Sequence, residues 1–295
     1  MTFEEFQNYI KEHILDDWME DAEVSISSVR KNNGVIYQGL HIREEGKTVS
    51  PSIYLDDFYD YYLNGEELGT ILRRIREEYV WAMEKADSYQ LNLSRFEYIK
   101  DRVIDRLVNY EKNKEILEDC PFIQLYDLAV TFRWLAHSDD VGISTSLITK
   151  QELDIWEISV HELLLAAQHN TRRIFPPRIM DLNALLLQMG KDLSEFEVLI
   201  PMYVMTNEQQ INGATVLLYD NVIQQFAQQM NTSFYILPSS IHEVILVPAE
   251  EFDDPSGLVE LVHMANHSIV ELGDILSDSV YYYDLLEDRL SPVII

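Results

Sequence analysis

The chain has a single cysteine, Cys120, in 295 residues, so no disulfide can form within it and nothing points to an oxidising compartment. Basic residues are also scarce. Twenty-two Lys and Arg stand against 51 Asp and Glu, a formal charge of −29. That excess repels phosphate backbones and anionic membrane surfaces, so direct nucleic-acid binding through a basic patch is not expected. No apolar run approaches the ~20 residues that cross a bilayer. The opening MTFEEFQNYIKEH lacks the basic and then apolar start of a signal peptide, and a cytoplasmic location is expected. The ten glycines are scattered, with no Walker or dinucleotide-binding fingerprint and no Gly-x-Ser-x-Gly elbow, and no cofactor is expected.

What the chain does have is material for a core. Hydrophobic residues make up 47% of it and aromatic residues 11%, too many for a disordered acidic tail. Phe3, Phe6, Ile10 and Ile14 recur at helical spacing and predict an opening amphipathic helix. From Val24 to Ile42 two β-type runs flank Arg30-Lys31-Asn32-Asn33-Gly34, and Asn-Gly predicts a hairpin because both residues tolerate positive φ. Helices are predicted over Tyr54 to Leu63, closed by Asn64-Gly65, and over Glu66 to Lys85, with Leu68, Ile71, Leu72, Ile75 and Tyr79 on one face. The stretch Phe96 to Leu117 reads as helix or as mixed structure.

After Cys120-Pro121, FIQLYDLAVTFRWLA and VGISTSLIT predict two strands about a Ser138-Asp139-Asp140 turn. A short helix capped by Thr149 follows, then one over Val160 to Asn170, and Pro176-Pro177 separates these from a helix over Ile179 to Met189. The last hundred residues predict strands at Leu199 to Thr206, Ala214 to Tyr219, FYILP and EVILVP. They also predict a helix capped by Asp220, another from Pro255 or Ser256 to about Leu272, and a closing hairpin of VYYYD and RLSPVII. Paired strands between helices define an α+β fold. An N-terminal helix, β-hairpin and helices are expected over 1–118, then a mostly antiparallel sheet with helices on one face over 119–295.

The blocks NNGVIYQGLHI, SPSIYLDDFYDYYLNG, FYILPSSIHEVILVP and LSDSVYYYD resemble an uncharacterised family of bacterial proteins abundant in gut-dwelling Firmicutes, over essentially the whole chain. From about Asp127 onward the order of elements is similar to a second, distant family of unknown function in the same bacteria. The resemblance implies a bacterial cytoplasmic protein with a shared α+β C-terminal half. It brings no activity, ligand or catalytic residue with it.

Three constellations could carry chemistry. His263 and His267 stand at i and i+4 on a predicted helix with Glu260 one turn before, a spacing that can chelate a divalent ion. Leu258, Leu261, Val262, Ala265, Ile269 and Leu272 are expected on the opposite face, so the same pair also reads as a solvated polar stripe. Ser239, Ser240 and His242 form the second constellation, a candidate ligand loop that Glu243 closes. In an extended strand Ser240 and His242 lie about 7 Å apart, and a catalytic Ser and His come from distant segments, so no catalytic residue is assigned. His161-Glu162 lacks a second His four positions on, and Cys120 has no local activator. The third is the tyrosine runs, which supply Tyr59, Tyr62, Tyr281 and Tyr283 as a candidate interaction surface, because such runs cannot bury every ring.

Three function classes follow. The favoured one is a non-enzymatic acidic protein that binds a protein partner, most simply a basic one. The second is a nucleic-acid-mimicking inhibitor of a DNA-binding protein, which needs carboxylates in a regular double row. The third is a hydrolase or metal-dependent enzyme with a site assembled from distant segments, whose mark would be a deep pocket lined by convergent polar side chains. From Asp192 to Ile295 there are 17 acids and one base, Arg289, which predicts a negative face on the C-terminal region.

Overall fold

Thr2 opens the first helix with a reciprocal cap. Its hydroxyl accepts from the Glu5 N–H, and the Glu5 carboxylate accepts from the Thr2 N–H. This helix, α1 (Phe3–His13), buries Phe6 and Ile10 completely, and Ile14 just past its end, as the spacing predicts. The computed structural model describes residues 1–19, 21–46, 50–88, 93–139, 142–188, 190, 200–252 and 254–294. By its contacts the chain forms two compact units, Met1–Asn92 and Leu93–Ile295.

In the first unit β1 (Ala22–Arg30), β2 (Ile36–Glu44) and β3 (Ser52–Tyr54) form an antiparallel sheet in that order. Asn33 and Gly34 turn the first hairpin at φ 57° and 75°, the left-handed region that Asn-Gly favours. Helices α2 (Leu55–Leu63) and α3 (Leu68–Ser88) add Leu55, Phe58, Ile71, Ile75 and Tyr79 to the core formed by α1, Leu40 and Ile42.

The second unit begins with α4 (Phe96–Ile99), β4 (Val103–Asn109) and the single turn α5 (Lys114–Leu117), so Phe96 to Leu117 is mixed structure. FIQLYDLAVTFRWLA holds two strands rather than one: β5 (Phe122–Leu125) and β6 (Leu128–Asp139) meet at Tyr126-Asp127. Tyr126 takes φ 57° there. Gly, Asn and Asp are the usual occupants of that conformation, so a tyrosine gives no turn signal. Asp127 is fixed from outside the hairpin, accepting from Ser277 Oγ at 2.5 Å, from Ser279 Oγ at 3.1 Å and from the Tyr281 hydroxyl. β7 (Gly142–Leu147) returns along β6, giving the order β4-β6-β5 with β7 also on β6. Helices α6 (Lys150–Trp156) and α7 (Val160–Ile174) each start at a capping box, Thr149 with Glu152 and Ser159 with Glu162.

The other strands build a six-stranded antiparallel sheet in the order β13-β12-β10-β11-β9-β8. In chain order its parts are β8 (Pro177–Asp181), α8 (Leu182–Gln188), β9 (Tyr203–Asn207), α9 (Val222–Met230), β10 (Phe234–Pro238), β11 (Val244–Pro248), α10 (Ser256–Ser268), β12 (Tyr281–Asp284) and β13 (Arg289–Pro292). Residues 191–199, which include the start of one predicted strand, lie outside the described residues.

Several local expectations change. Residues 179–181, expected in a helix, belong to β8, where pairing with β9 from Pro177↔Asn207 to Asp181↔Tyr203 overrides the local pattern. Gly213–Leu218 is a 3-10 segment and not a strand; Ala214, Thr215 and Val216 are buried in succession, without the alternation a half-exposed strand shows. The N-cap position of the helix after it is held by Asn221, in the left-handed region and with no side-chain cap bond, rather than by Asp220. Helices flank both faces of the large sheet. Phe226 of α9 stacks on Phe234 at 5.3 Å, whereas Leu258 and Val262 of α10 pack with Leu237 and Val247, which point the other way. On α10 the inward residues are Leu258, Val262 and Asn266, while Leu261 and Ile269, with Leu272 beyond it, are 47%, 81% and 56% exposed. Among the described residues no helix is long and apolar enough to cross a membrane.

Candidate functional site

β4 pairs with β6 along one side only, which leaves its other edge in need of partners. Side chains supply them. Thr171 of α7 accepts the Asp105 N–H at 2.9 Å, and Thr215 of the 3-10 segment accepts the Leu107 N–H at 3.1 Å. Asn170 donates to the Lys100 and Val103 carbonyls at 2.6 and 2.9 Å, while Thr171 gives its own proton to the Ala167 carbonyl at 2.8 Å. This clamp fixes α7 and the 213–220 segment about Asp105. A cavity of about 290 Å³ opens there, lined by Asp105, Gln168, His169, Arg172, Leu218, Tyr219 and Asp220.

Asp105 is 3% exposed, and neither carboxylate oxygen has a hydrogen-bond partner among the described residues. Burial pushes its carboxyl up to about 6, against smaller lowering effects of Thr171 and of its own backbone N–H. The Tyr219 hydroxyl is pushed up by burial and then by Asp105, and it donates to the Phe175 carbonyl at 2.9 Å. Arg172 directs Nη1 to the Asp220 carbonyl at 3.0 Å. Gln168, His169, Arg172 and Asp220 are exposed, so the cavity runs from a charged mouth to a buried carboxylate.

The neighbouring Arg106 projects to the other side of β4. Burial, and then Arg133, lower its guanidinium to about 9 against the pull of Asp274, and its Nε is buried without a partner among the described residues. Arg133 Nε donates to the Thr145 hydroxyl at 2.7 Å. The thiol of Cys120, also buried, is pushed up to about 11 chiefly by desolvation, which makes it a poor nucleophile.

The residues singled out in the sequence fall elsewhere. Ser240 donates to Glu243 at 2.9 Å and accepts the His242 N–H at 2.9 Å, so its hydroxyl is spent on its own turn, with Ser239 half-buried beside it. His242 Nδ1 accepts the Asn212 N–H at 3.2 Å, which leaves the ring proton on Nε2, 3.6 Å from Asp274. The loop therefore brings His242 to an acid and not to a serine. Gly213 sits against it so closely that a Cβ would collide with the Thr206 hydroxyl and the His242 carbonyl.

His263 and His267 are exposed on α10 with ring centroids 6.4 Å apart, and His267 Nδ1 lies 2.7 Å from the His263 carbonyl. Glu260 is exposed on the same helix, and no group of three metal-binding side chains forms among the described residues. Tyr59 and Tyr62 hold the chain start: Tyr59 donates to the Met1 carbonyl at 3.0 Å, and the Met1 ammonium donates to the Tyr62 hydroxyl at 2.9 Å. Tyr281 and Tyr283 are 0% and 2% exposed, with hydroxyls on Asp127 and Asp288. Their burial removes them from any contact surface, because alternate residues of β12 face inward. No cavity residue is among the candidate site residues read from the sequence, and Asp220 stood there only as a helix cap. The one signal in the sequence was an Asp-Arg pair set inside the β-forming run VIDRLV.

Fold and cavity together define an α+β protein of two compact units, the second of which closes a small polar pocket over a buried carboxylate. The chain belongs to a family of unknown function, DUF5688, whose model matches residues 3–285. No curated protein and no solved structure matches it.

Proposed function

We propose that this is a non-enzymatic acidic protein that binds a basic protein partner in the bacterial cytoplasm. The observation that carries the reading is the charge of −29 together with where the few cations are spent. Arg74 pairs with Glu66 at 2.9 Å, Lys100 with Glu97 at 2.7 Å and Lys114 with Glu111 at 2.6 Å. Arg76 donates to the Ile14, His13 and Asp16 carbonyls at 2.9, 3.1 and 2.9 Å, and Arg172 to that of Asp220. Cations tied to their own chain leave most carboxylates without a counter-charge. A surface of one sign speeds encounter with a partner of the other, and salt weakens that effect.

The test is capture from native cytosol on the immobilised full-length chain, washed at about 0.1 M and then about 0.5 M salt, which shortens the screening length by roughly half. Basic proteins are expected to be held in the first wash and released in the second. Recovery of no protein, or of acidic proteins indifferent to salt, would contradict the proposal.

A further inference from the structure

We propose that the cavity over Asp105 is a binding site for a small organic cation bearing N–H donors, an alkylammonium or guanidinium group. The first ground is the buried end, which offers acceptors and no donor. Both Asp105 oxygens lack a partner among the described residues, the Thr171 proton goes to Ala167, and the Tyr219 proton goes to Phe175. A buried carboxylate left in this state is costly unless something donates to it.

The second ground is that the arginine lining the cavity does not neutralise it. Arg172 lines the same cavity, yet it donates to the Asp220 carbonyl, and among the described residues no ion pair joins it to Asp105. The third is size: about 290 Å³ holds roughly ten waters, room for an amine of amino-acid dimensions. A metal ion fits less well, because no cluster of three His, Cys, Asp or Glu side chains forms among the described residues. An N–H cation instead needs only acceptors, and a charge-assisted pair with a carboxylate is the strong form of that contact. The surrounding negative field would further concentrate cations at the mouth. This site stands apart from the acidic-surface reading and does not depend on it.

The test is calorimetric titration of the full-length chain with n-butylammonium, ethylguanidinium and choline, the last carrying charge without N–H donors. Saturable binding of either of the first two, with choline silent, is expected. Asp105→Asn should weaken it at least tenfold while keeping the shape of the floor. Because binding favours the ionised carboxylate, affinity should also fall roughly tenfold per pH unit below about 6, a loss that Asp105→Asn abolishes. Tighter binding of a capped lysine or arginine residue than of the simple amines would assign the cation to a protein side chain, and the reverse to a metabolite. No saturable binding by any N–H cation, equal binding of choline, or unchanged binding by Asp105→Asn would overturn the proposal.

Discussion

Two aspartates of the second unit differ in their partners. Asp127 takes three hydroxyl donors, from Ser277, Ser279 and Tyr281, and so ties the Tyr126 turn to β12. Neither Asp105 oxygen has a partner among the described residues, and burial raises its carboxyl from 3.8 to about 6. A shift of that size corresponds to about 3 kcal/mol of lost stability when the group is ionised. The sign follows from linkage. The folded state holds its proton more tightly than the unfolded chain, so stability is greatest below 3.8 for this group, falls as pH rises through about 6, and is level above. Asp105→Asn should therefore stabilise the protein by about 2 kcal/mol near pH 7.5, with the gain shrinking toward zero near pH 4, as read from urea unfolding at both values. A loss of stability at the higher pH would mean that the carboxylate has a partner. Little of this was legible in the sequence. The His263 and His267 pair stands out there because helical spacing is regular, whereas Asp105 is a lone acid whose setting comes from residues 63 to 115 positions away.

At the scale of elements, local pattern served well where the element answers to its own neighbours. Helix α1, the Asn33-Gly34 hairpin, the capped helices α6 and α7 and the β10–β11 pair all follow spacing or turn chemistry. It served poorly where a distant partner decides. β8 is a strand because β9 pairs with it, the 3-10 segment sits where Thr215 reaches Leu107, and β5 and β6 separate at a tyrosine that no turn rule selects. The edge of β4 is the element-scale feature on which the cavity depends. Thr171→Val would keep the shape of that residue but strand the Asp105 N–H, a loss expected to cost about 1–3 kcal/mol. Urea unfolding should show it, together with faster hydrogen exchange at the Asp105 amide, and Thr171→Ser should restore both. An unchanged exchange rate in Thr171→Val would show that the hydroxyl does not hold this edge.

Over the whole molecule, the sequence made the acidity plain and even its bias toward the C-terminal third, where 17 acids meet one base. It did not disclose how the chain divides. The change of texture at Cys120-Pro121 is visible locally, yet β4 pairs with β6 across it, and residues 93–118 lie within the second unit. Pairing between Val103 and Trp134 leaves no mark in either segment alone. Both the site and its proposed ligand depend on the Asp105 carboxylate being buried and without a partner among the described residues. The most direct measurement is its own ionisation, followed through the carboxyl ¹³C shift of Asp105 in the full-length protein. A midpoint near 6 is expected, moving down when an N–H cation binds. A midpoint at or below the ordinary 3.8 without any ligand would contradict it, because the group would then be solvated or already paired.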